Sequence, residues 1–258
     1  MTSLIDCPQD ERGTWRFGLF GIPVRVLPWF WLTALFTGAS QDTTLVLIWI
    51  AVVFVSILLH EMGHVLAYRA FGAQGEILLY GWGGLAIPMR SRPWNTFQQV
   101  VVSAAGPMAG FCLGACAVPV AIILGGHVTL TFHTLVLPSL TAYLPSASSE
   151  WNSYYWSAVL NDLLWVNLGW GLVNLLPVLP LDGGSISKAL FEKRYGHRGK
   201  RKALLTSAAT AGVIAALGLA TQSLYVAMMF GVLAVGSLQK LEEQKPFFPR
   251  RSYESWRR

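Results

Sequence analysis

Residues 44–68 read TLVLIWIAVVFVSILLHEMGHVLAY, a stretch that joins an apolar run to a His-Glu-Met-Gly-His sequence at residues 60–64. A helix of about 20 apolar residues is long enough to cross the hydrocarbon core of a bilayer. The stretch therefore predicts a membrane-spanning helix whose final turns carry two histidines and a glutamate. Ionisable side chains at that depth cost several kcal/mol unless a metal ion or another partner compensates them.

The composition of the whole chain agrees with a membrane protein. Of the 258 residues, 53% are hydrophobic and 12% are charged, and the mean hydropathy is +0.48. The formal net charge of +6 does not follow one amphipathic face, as a nucleic-acid interface would require, because the Lys and Arg residues occur in blocks between apolar stretches. We therefore expect a lipid bilayer as a partner and exclude nucleic acid.

Apolar runs, bounded by Gly, Pro and charged residues, divide the chain into six predicted spans. They lie at residues 26–40, 44–68, 97–125, 159–178, 203–219 and 221–238. The predicted fold class is an all-α membrane protein with about six transmembrane helices. The apolar segment 127–145 is rich in Thr and Val and contains Pro138, so we expect extended or re-entrant structure there and not a seventh span.

The positive charges orient these spans. All 19 Lys and Arg residues lie in segments 1–25, 69–96, 179–202 and 239–258, which fall on the same side of a membrane crossed six times. The positive-inside rule makes that side cytoplasmic, so we expect both termini in the cytoplasm and the HEMGH sequence near the cytoplasmic side. The predicted organisation is an N-terminal segment at 1–25, a membrane domain at 26–238 and a basic tail at 239–258.

The HEMGH sequence has the HExxH spacing of zinc-binding helices. Side chains four residues apart project from the same helix face, so His60 and His64 can bind one Zn²⁺ ion. Glu61 stands beside that face, where it can take a proton from a metal-bound water and pass it to a leaving amine. We expect His60 and His64 as metal ligands and Glu61 as the catalytic base. The competing explanation is a chance match of a five-residue pattern.

A catalytic zinc ion usually has three protein ligands, so the pattern requires a third. Asp182 is the acidic residue predicted at the same membrane depth as the two histidines. It lies in NLLPVLPLDGG (174–184), where two prolines and two glycines interrupt a regular helix. Irregular backbone at membrane depth occurs where it lines a protein cavity. We expect Asp182 as the third ligand; a solvated turn at a helix end is the alternative.

Two further features concern substrate binding. Residues 76–88, EILLYGWGGLAIP, place β-type residues around a Gly-rich centre. They predict a re-entrant hairpin whose edge accepts an extended substrate strand, with an ordinary cytoplasmic loop as the alternative. Asn174 lies two turns before Asp182 and can either hydrogen-bond substrate or an oxyanion, or pack as an amide between helices.

Together these motifs resemble the site-2 protease family of intramembrane zinc metalloproteases. The resemblance rests on HEMGH at 60–64, SAAGP at 103–107, GWGGLA at 81–86, and Asn174 with LDG at 181–183. It covers about residues 44–190 and implies a three-helix catalytic core in which one zinc ion is bound by His60, His64 and Asp182. It also implies cleavage of transmembrane segments of other membrane proteins in regulated intramembrane proteolysis. We expect a minimal member without a PDZ domain, with substrate contacts at Gly83, Gly84, Gly106 and Asn174.

Two other functions fit parts of the same pattern. A catalytically silent membrane scaffold, or pseudoprotease, would bind transmembrane helices without cutting them, and the intact Glu61 argues against it. A different membrane zincin would require a Glu ligand from a later span, and no Glu lies within the later predicted spans.

Overall fold

The computed structural model describes residues 12–38, 40–89, 93–131, 139–145 and 150–243. Contacts within the chain divide it into two compact units, Met1–Leu175 and Leu176–Arg258. Most of the described residues are helical, as predicted, and two small β-sheets accompany the helices.

Two long helices form the centre of the first unit. Helix α2 spans Thr43–Ala70 and helix α3 spans Thr96–Ile123, each with 28 residues and a length of about 42 Å. The Asp42 side chain caps the first turn of α2, and a capping box of Asn95 and Gln98 begins α3. These caps satisfy N–H groups that have no partner within the helix.

A four-stranded sheet packs against the HEMGH end of α2. Its strands are β1 (Trp15–Leu19), β2 (Ile22–Val26), β3 (Gln74–Tyr80) and β4 (Gly83–Met89), in that order across the sheet. The β2–β3 pair is parallel, and the other two pairs are antiparallel. Side chains alternate between the two faces, and those of Ile77 and Leu79 are fully buried in the core that includes α2.

The hairpin predicted at 76–88 is present. Strands β3 and β4 pair up to Tyr80 opposite Gly83, which leaves Gly81 and Trp82 as a two-residue turn. Gly83 has a φ of +125°, a backbone conformation that glycine adopts without strain. The re-entry of this hairpin into the membrane stays a prediction.

The first predicted span, residues 26–40, contains one short helix, which begins two residues after strand β2 ends. Helix α1 (Pro28–Thr37) has 10 residues and extends about 15 Å, half the thickness of a bilayer core. At one end of this path the Arg69 guanidinium donates hydrogen bonds to the carbonyls of the β1–β2 turn, and at the other Trp49 Nε1 donates to Thr37 Oγ1. Strand β2 and helix α1 together therefore run along about 30 Å of α2.

Segment 127–145 contains extended structure, as predicted. Strands β5 (His127–Thr131) and β6 (Ser139–Tyr143) form an antiparallel pair, and residues 132–138 lie outside the described part of the chain. The Asn161 side chain accepts from the Ala142 N–H at 2.7 Å and donates to the Ala142 carbonyl at 3.2 Å. This double contact holds β6 to the helix that follows.

The fourth predicted span is a composite helix that begins earlier than the apolar run. Helix α4 (Glu150–Leu164) continues through a π-helical turn (Trp165–Gly169) into helix α5 (Trp170–Asn174). Polar and aromatic residues before position 159 extend the helix, and hydropathy alone does not reveal them. A π-helical turn often marks a functional position in a helix.

The described residues of the second unit, 176–243, form three helices. They are α6 (Asp182–Tyr195), α7 (His197–Ala220) and α8 (Leu224–Glu243). Helices α7 and α8, at the last two predicted spans, form a hairpin with only residues 221–223 between them.

Four helices of the described part of the chain are long and apolar enough to cross a membrane: α2, α3, α7 and α8. The expectation of about six transmembrane helices stays a prediction, because the two other predicted spans have a different form. The first predicted span contains only the ten-residue helix α1, and the fourth consists of α4, the π-helical turn and α5. The predicted fold class also lacked strands β1 and β2, which extend the predicted β3–β4 hairpin to a four-stranded sheet.

Candidate metal centre

The imidazole rings of His60 and His64 converge one turn apart on α2. Their Nε2 atoms are 3.3 Å apart and their ring centroids 5.0 Å apart. One ligand atom from each histidine and a carboxylate oxygen of Glu61 all lie within 4.8 Å of one another. Two nitrogens bound at about 2.0–2.1 Å to one tetrahedral ion would lie about 3.3 Å apart. The donor set therefore fits a zinc ion.

A backbone carbonyl of α3 fixes the orientation of the His64 ring. The Nδ1 atom of His64 lies 2.7 Å from the carbonyl oxygen of Val102. Because a carbonyl oxygen can only accept, Nδ1 carries the proton and Nε2 keeps its lone pair. Histidines that bind metals usually make this kind of outer hydrogen bond, which sets the tautomer.

Glu61 is buried between α2 and the β3–β4 hairpin, with 6% of its surface exposed. A methyl group on Gly84 would overlap the Glu61 side chain and come within 2.5 Å of its Oε1 atom. Burial, together with the negative charge of Glu61, raises the pKa of Tyr80 at the end of β3. The carboxylate is thus held against the strand predicted to bind substrate.

Two glycines allow α2 and α3 to approach each other at the histidines. A methyl group on Gly106 would overlap Nε2 of His64 and come within 2.7 Å of Nε2 of His60. A methyl group on Gly63 would overlap the backbone carbonyl of Ala105. The SAAGP and HEMGH sequences therefore fit together through glycines that leave space for the imidazole rings.

A buried amide supports α2 one turn before His60. Asn167, in the π-helical turn, donates to Ser56 Oγ at 2.8 Å and to the Leu163 carbonyl at 2.9 Å. A methyl group on Gly110 of α3 would lie 3.5 Å from Asn167 Oδ1, in ordinary contact. Neither Ser56 nor Asn167 was predicted from the sequence, although a lone polar residue in an apolar span is a usable signal.

The other predicted site residues lie in three places. Gly83 begins β4, Asn174 ends α5 with a partly buried side chain, and Asp182 is the first residue of α6 in the second unit. The ligand role of Asp182 stays a prediction. So do the predicted substrate contacts, which are those of Gly83, Gly84, Gly106 and Asn174.

A family comparison covers most of this region. The model of peptidase family M50 matches residues 48–219, more than half of the chain. The chain belongs to peptidase family M50. This membership confirms the resemblance to site-2 proteases, and together with the four apolar helices it makes the chain an integral membrane protein.

Two curated relatives share less than a third of their aligned residues with this chain. A Synechocystis sp. protein named as a zinc metalloprotease is 31% identical, with the match covering 70% of this chain and 45% of that protein. A zinc metalloprotease of Methanocaldococcus jannaschii is 26% identical, with 70% of this chain and 46% of that protein covered. The chain spans less than half the length of these curated relatives.

One solved structure has a fold similar to that of this chain. The site-2 protease from Methanocaldococcus jannaschii matches with a TM-score of 0.54 and 22% identity. The match covers 88% of this chain and 95% of that chain. The helices and the small sheet of this M50 member therefore follow the site-2 protease fold.

Proposed function

We propose that the chain is a zinc-dependent endopeptidase that hydrolyses peptide bonds in or near transmembrane segments of membrane-protein substrates. The observation that carries this proposal is the convergence of His60 and His64, with Nε2 atoms 3.3 Å apart, beside the buried Glu61. These residues lie on a helix that is long and apolar enough to cross a membrane. Membership of the M50 family and the zinc metalloprotease names of relatives support the same function.

Three side chains would hold the metal. His60 and His64 would bind through Nε2, and Asp182 through a carboxylate oxygen, which leaves one position open for water or substrate. When bound, zinc lowers the pKa of water and polarises the scissile carbonyl. The role of Asp182 is supported by its position at the start of α6, directly after an irregular segment.

Glu61 would move the proton in the reaction. Its carboxylate accepts a proton from the attacking water and donates it to the nitrogen of the leaving amine. Its burial excludes bulk water from that transfer. Because Gly84 has no side chain, β4 lies directly against this carboxylate, and a substrate strand paired with β4 would place its backbone beside Glu61.

Strand β4 offers a backbone edge to an unwound substrate. A transmembrane helix hides its peptide bonds in intrahelical hydrogen bonds, so cleavage requires local extension. No strand of the described part of the chain pairs with the outer edge of β4. The Ala86 carbonyl accepts from the Tyr68 hydroxyl at 3.1 Å, so it points away from β3. Because pairs alternate along the ladder, Gly84 directs its backbone groups to the same outer edge, next to Glu61.

Replacing Ala86 with proline tests docking at this edge. The Ala86→Pro variant loses an outward N–H group but keeps the ladder between β3 and β4, so cleavage should fall about 3- to 10-fold. Zinc content should not change. The control Ala86→Ser keeps the N–H group and should keep cleavage. Wild-type cleavage by Ala86→Pro would exclude docking along β4.

We also infer that the site lies near the cytoplasmic side, with both termini in the cytoplasm. Arg69 binds the β1–β2 turn, so the N-terminal hairpin lies at the HEMGH end of α2. From there β2 and α1 run toward the Trp49 end, and we take them as the first crossing and α2 as the second. The distribution of Lys and Arg supports the cytoplasm as the starting side.

Separate measurements of zinc content and cleavage test the proposed function. Purified wild type should bind one zinc ion per chain, and Glu61→Gln should keep it because Gln replaces a base and not a ligand. Membrane-protein fragments found in cells with wild type should fall by at least about 10²-fold with Glu61→Gln. Zinc binding without Glu61-dependent fragments would favour the alternative, a catalytically silent scaffold that binds transmembrane helices.

A further inference from the structure

We propose that Ser207 and Ser237 are positioning residues that fix the backbone carrying Asp182; the inference rests on the proposed zinc-binding role of Asp182. Both serines belong to the second unit, on helices α7 and α8. Their side chains are buried, with 0% and 2% of their surface exposed. Buried hydroxyls in apolar helices require hydrogen-bond partners, and the partners of these two lead to the segment before Asp182.

One backbone N–H group of segment 177–181 is hydrogen-bonded to a side chain outside the segment. The segment has three N–H groups, because its two prolines have none. Two of the three donate to carbonyls of Leu176 and Val178, at 2.7 and 2.8 Å. The third, the Leu179 N–H, donates to Ser207 Oγ at 2.8 Å. Ser207 therefore ties this irregular segment to α7.

The hydrogen bonds continue through Ser237 in one direction. The Oγ atoms of Ser207 and Ser237 are 2.7 Å apart, and Ser237 Oγ donates to the Leu233 carbonyl at 2.9 Å. Each hydroxyl has one proton, so Ser207 donates to Ser237 while accepting from the Leu179 N–H. Consecutive hydrogen bonds polarise one another, so the loss of either hydroxyl weakens or removes the hydrogen bond that holds the Leu179 N–H.

The first turn of α6 closes on the same anchored backbone. A methyl group on Gly184 would lie 2.5 Å from the Val178 carbonyl and 2.6 Å from the Leu179 nitrogen. Asp182 lies between this tight contact and the bond from Leu179 to Ser207. A displacement at Leu179 would therefore move the Asp182 carboxylate, and a metal ligand that is held in place binds more tightly than one that must be ordered.

Two measurements on the purified protein test this inference. The first is zinc affinity, measured by competition with a chelator, and the second is hydrogen exchange of residues 178–185 in the zinc-free protein. Ser207→Ala should weaken zinc binding about tenfold, as the loss of supporting hydrogen bonds typically does, and should speed exchange in the segment. Ser237→Ala acts one bond further away and should cause smaller changes in the same direction. Ser207→Thr keeps the hydroxyl and should restore both properties.

The matched control is Ala211→Gly. Ala211 is fully buried in α7 one turn after Ser207, and glycine there lowers helix stability without touching the hydroxyl chain. This variant should unfold at a lower temperature but keep wild-type zinc affinity and exchange in residues 178–185. Wild-type values in Ser207→Ala, or an equal loss in Ala211→Gly, would overturn the inference.

The Asp182→Ala variant separates the positioning role from the proposed function. If Asp182→Ala loses zinc affinity and Ser207→Ala does not, the positioning role fails and the ligand assignment stands. If Asp182→Ala binds zinc as tightly as wild type, the ligand assignment fails and the positioning role fails with it.

Discussion

The two regions that carry the predicted metal ligands are built in opposite ways. His60 and His64 stand on a regular helix, where one turn brings their Nε2 atoms to 3.3 Å. Asp182 follows an irregular segment, residues 177–181, whose three N–H groups each have a different partner. A regular helix sets ligand spacing through its pitch, whereas irregular backbone depends on partners from other helices. Mutations should therefore disturb the two regions through different contacts.

The largest effect is expected where α3 meets the histidines. In Gly106→Ala the added methyl group would overlap His64 Nε2 and crowd His60, so zinc affinity should fall at least about 100-fold. Gly110→Ala, one turn later on the same helix, adds a methyl group in ordinary contact and should bind zinc normally. Metal analysis of both purified proteins measures the difference. Equal zinc content in the two variants would show that zinc binding does not depend on the close contact between α2 and α3.

A smaller effect is expected in the irregular region. Gly184→Ala would press a methyl group into the backbone of residues 178–179 and should lower the free energy of unfolding by about 1–3 kcal/mol. The control Gly212→Ala on α7 meets nothing within 4 Å and should raise it by up to about 1 kcal/mol. Denaturant unfolding in detergent gives both values. If Gly184→Ala were as stable as wild type, the segment would not be tightly packed against α6.

The smallest effect is expected at the buried amide behind the helical ligand pair. Asn167→Leu removes the 2.8 Å hydrogen bond to the Ser56 hydroxyl and should lower the free energy of unfolding by about 0.5–1.5 kcal/mol, with zinc retained. Combination with Ser56→Ala in a double-mutant cycle should give a coupling of about 1 kcal/mol. Strictly additive single effects would indicate that this hydrogen bond contributes no stability.

Local features of the fold and of the site were accessible from the sequence. The HEMGH histidines converge because helix pitch alone places residues four apart on one face. The β3–β4 hairpin was predicted because its two strands are separated by a short Gly-rich turn. The extended structure at 127–145 followed from its Thr, Val and Pro content.

Features that depend on contacts between residues far apart in the sequence could not be predicted from it. Strand β2 pairs in parallel with β3, where Val24 lies opposite Ile77, and local periodicity carries no information about that contact. The Val102 carbonyl that orients His64 was also missed, because every residue has a carbonyl and the fold alone selects this one.

The central claim is that His60, His64 and Asp182 bind one zinc ion. A crystal structure of the zinc-loaded protein, with the metal located by anomalous scattering, tests this claim most directly. We expect one ion about 2.0–2.1 Å from both Nε2 atoms and about 2.0–2.2 Å from a carboxylate oxygen of Asp182. An ion bound by the two histidines with the Asp182 carboxylate outside coordination distance would contradict it.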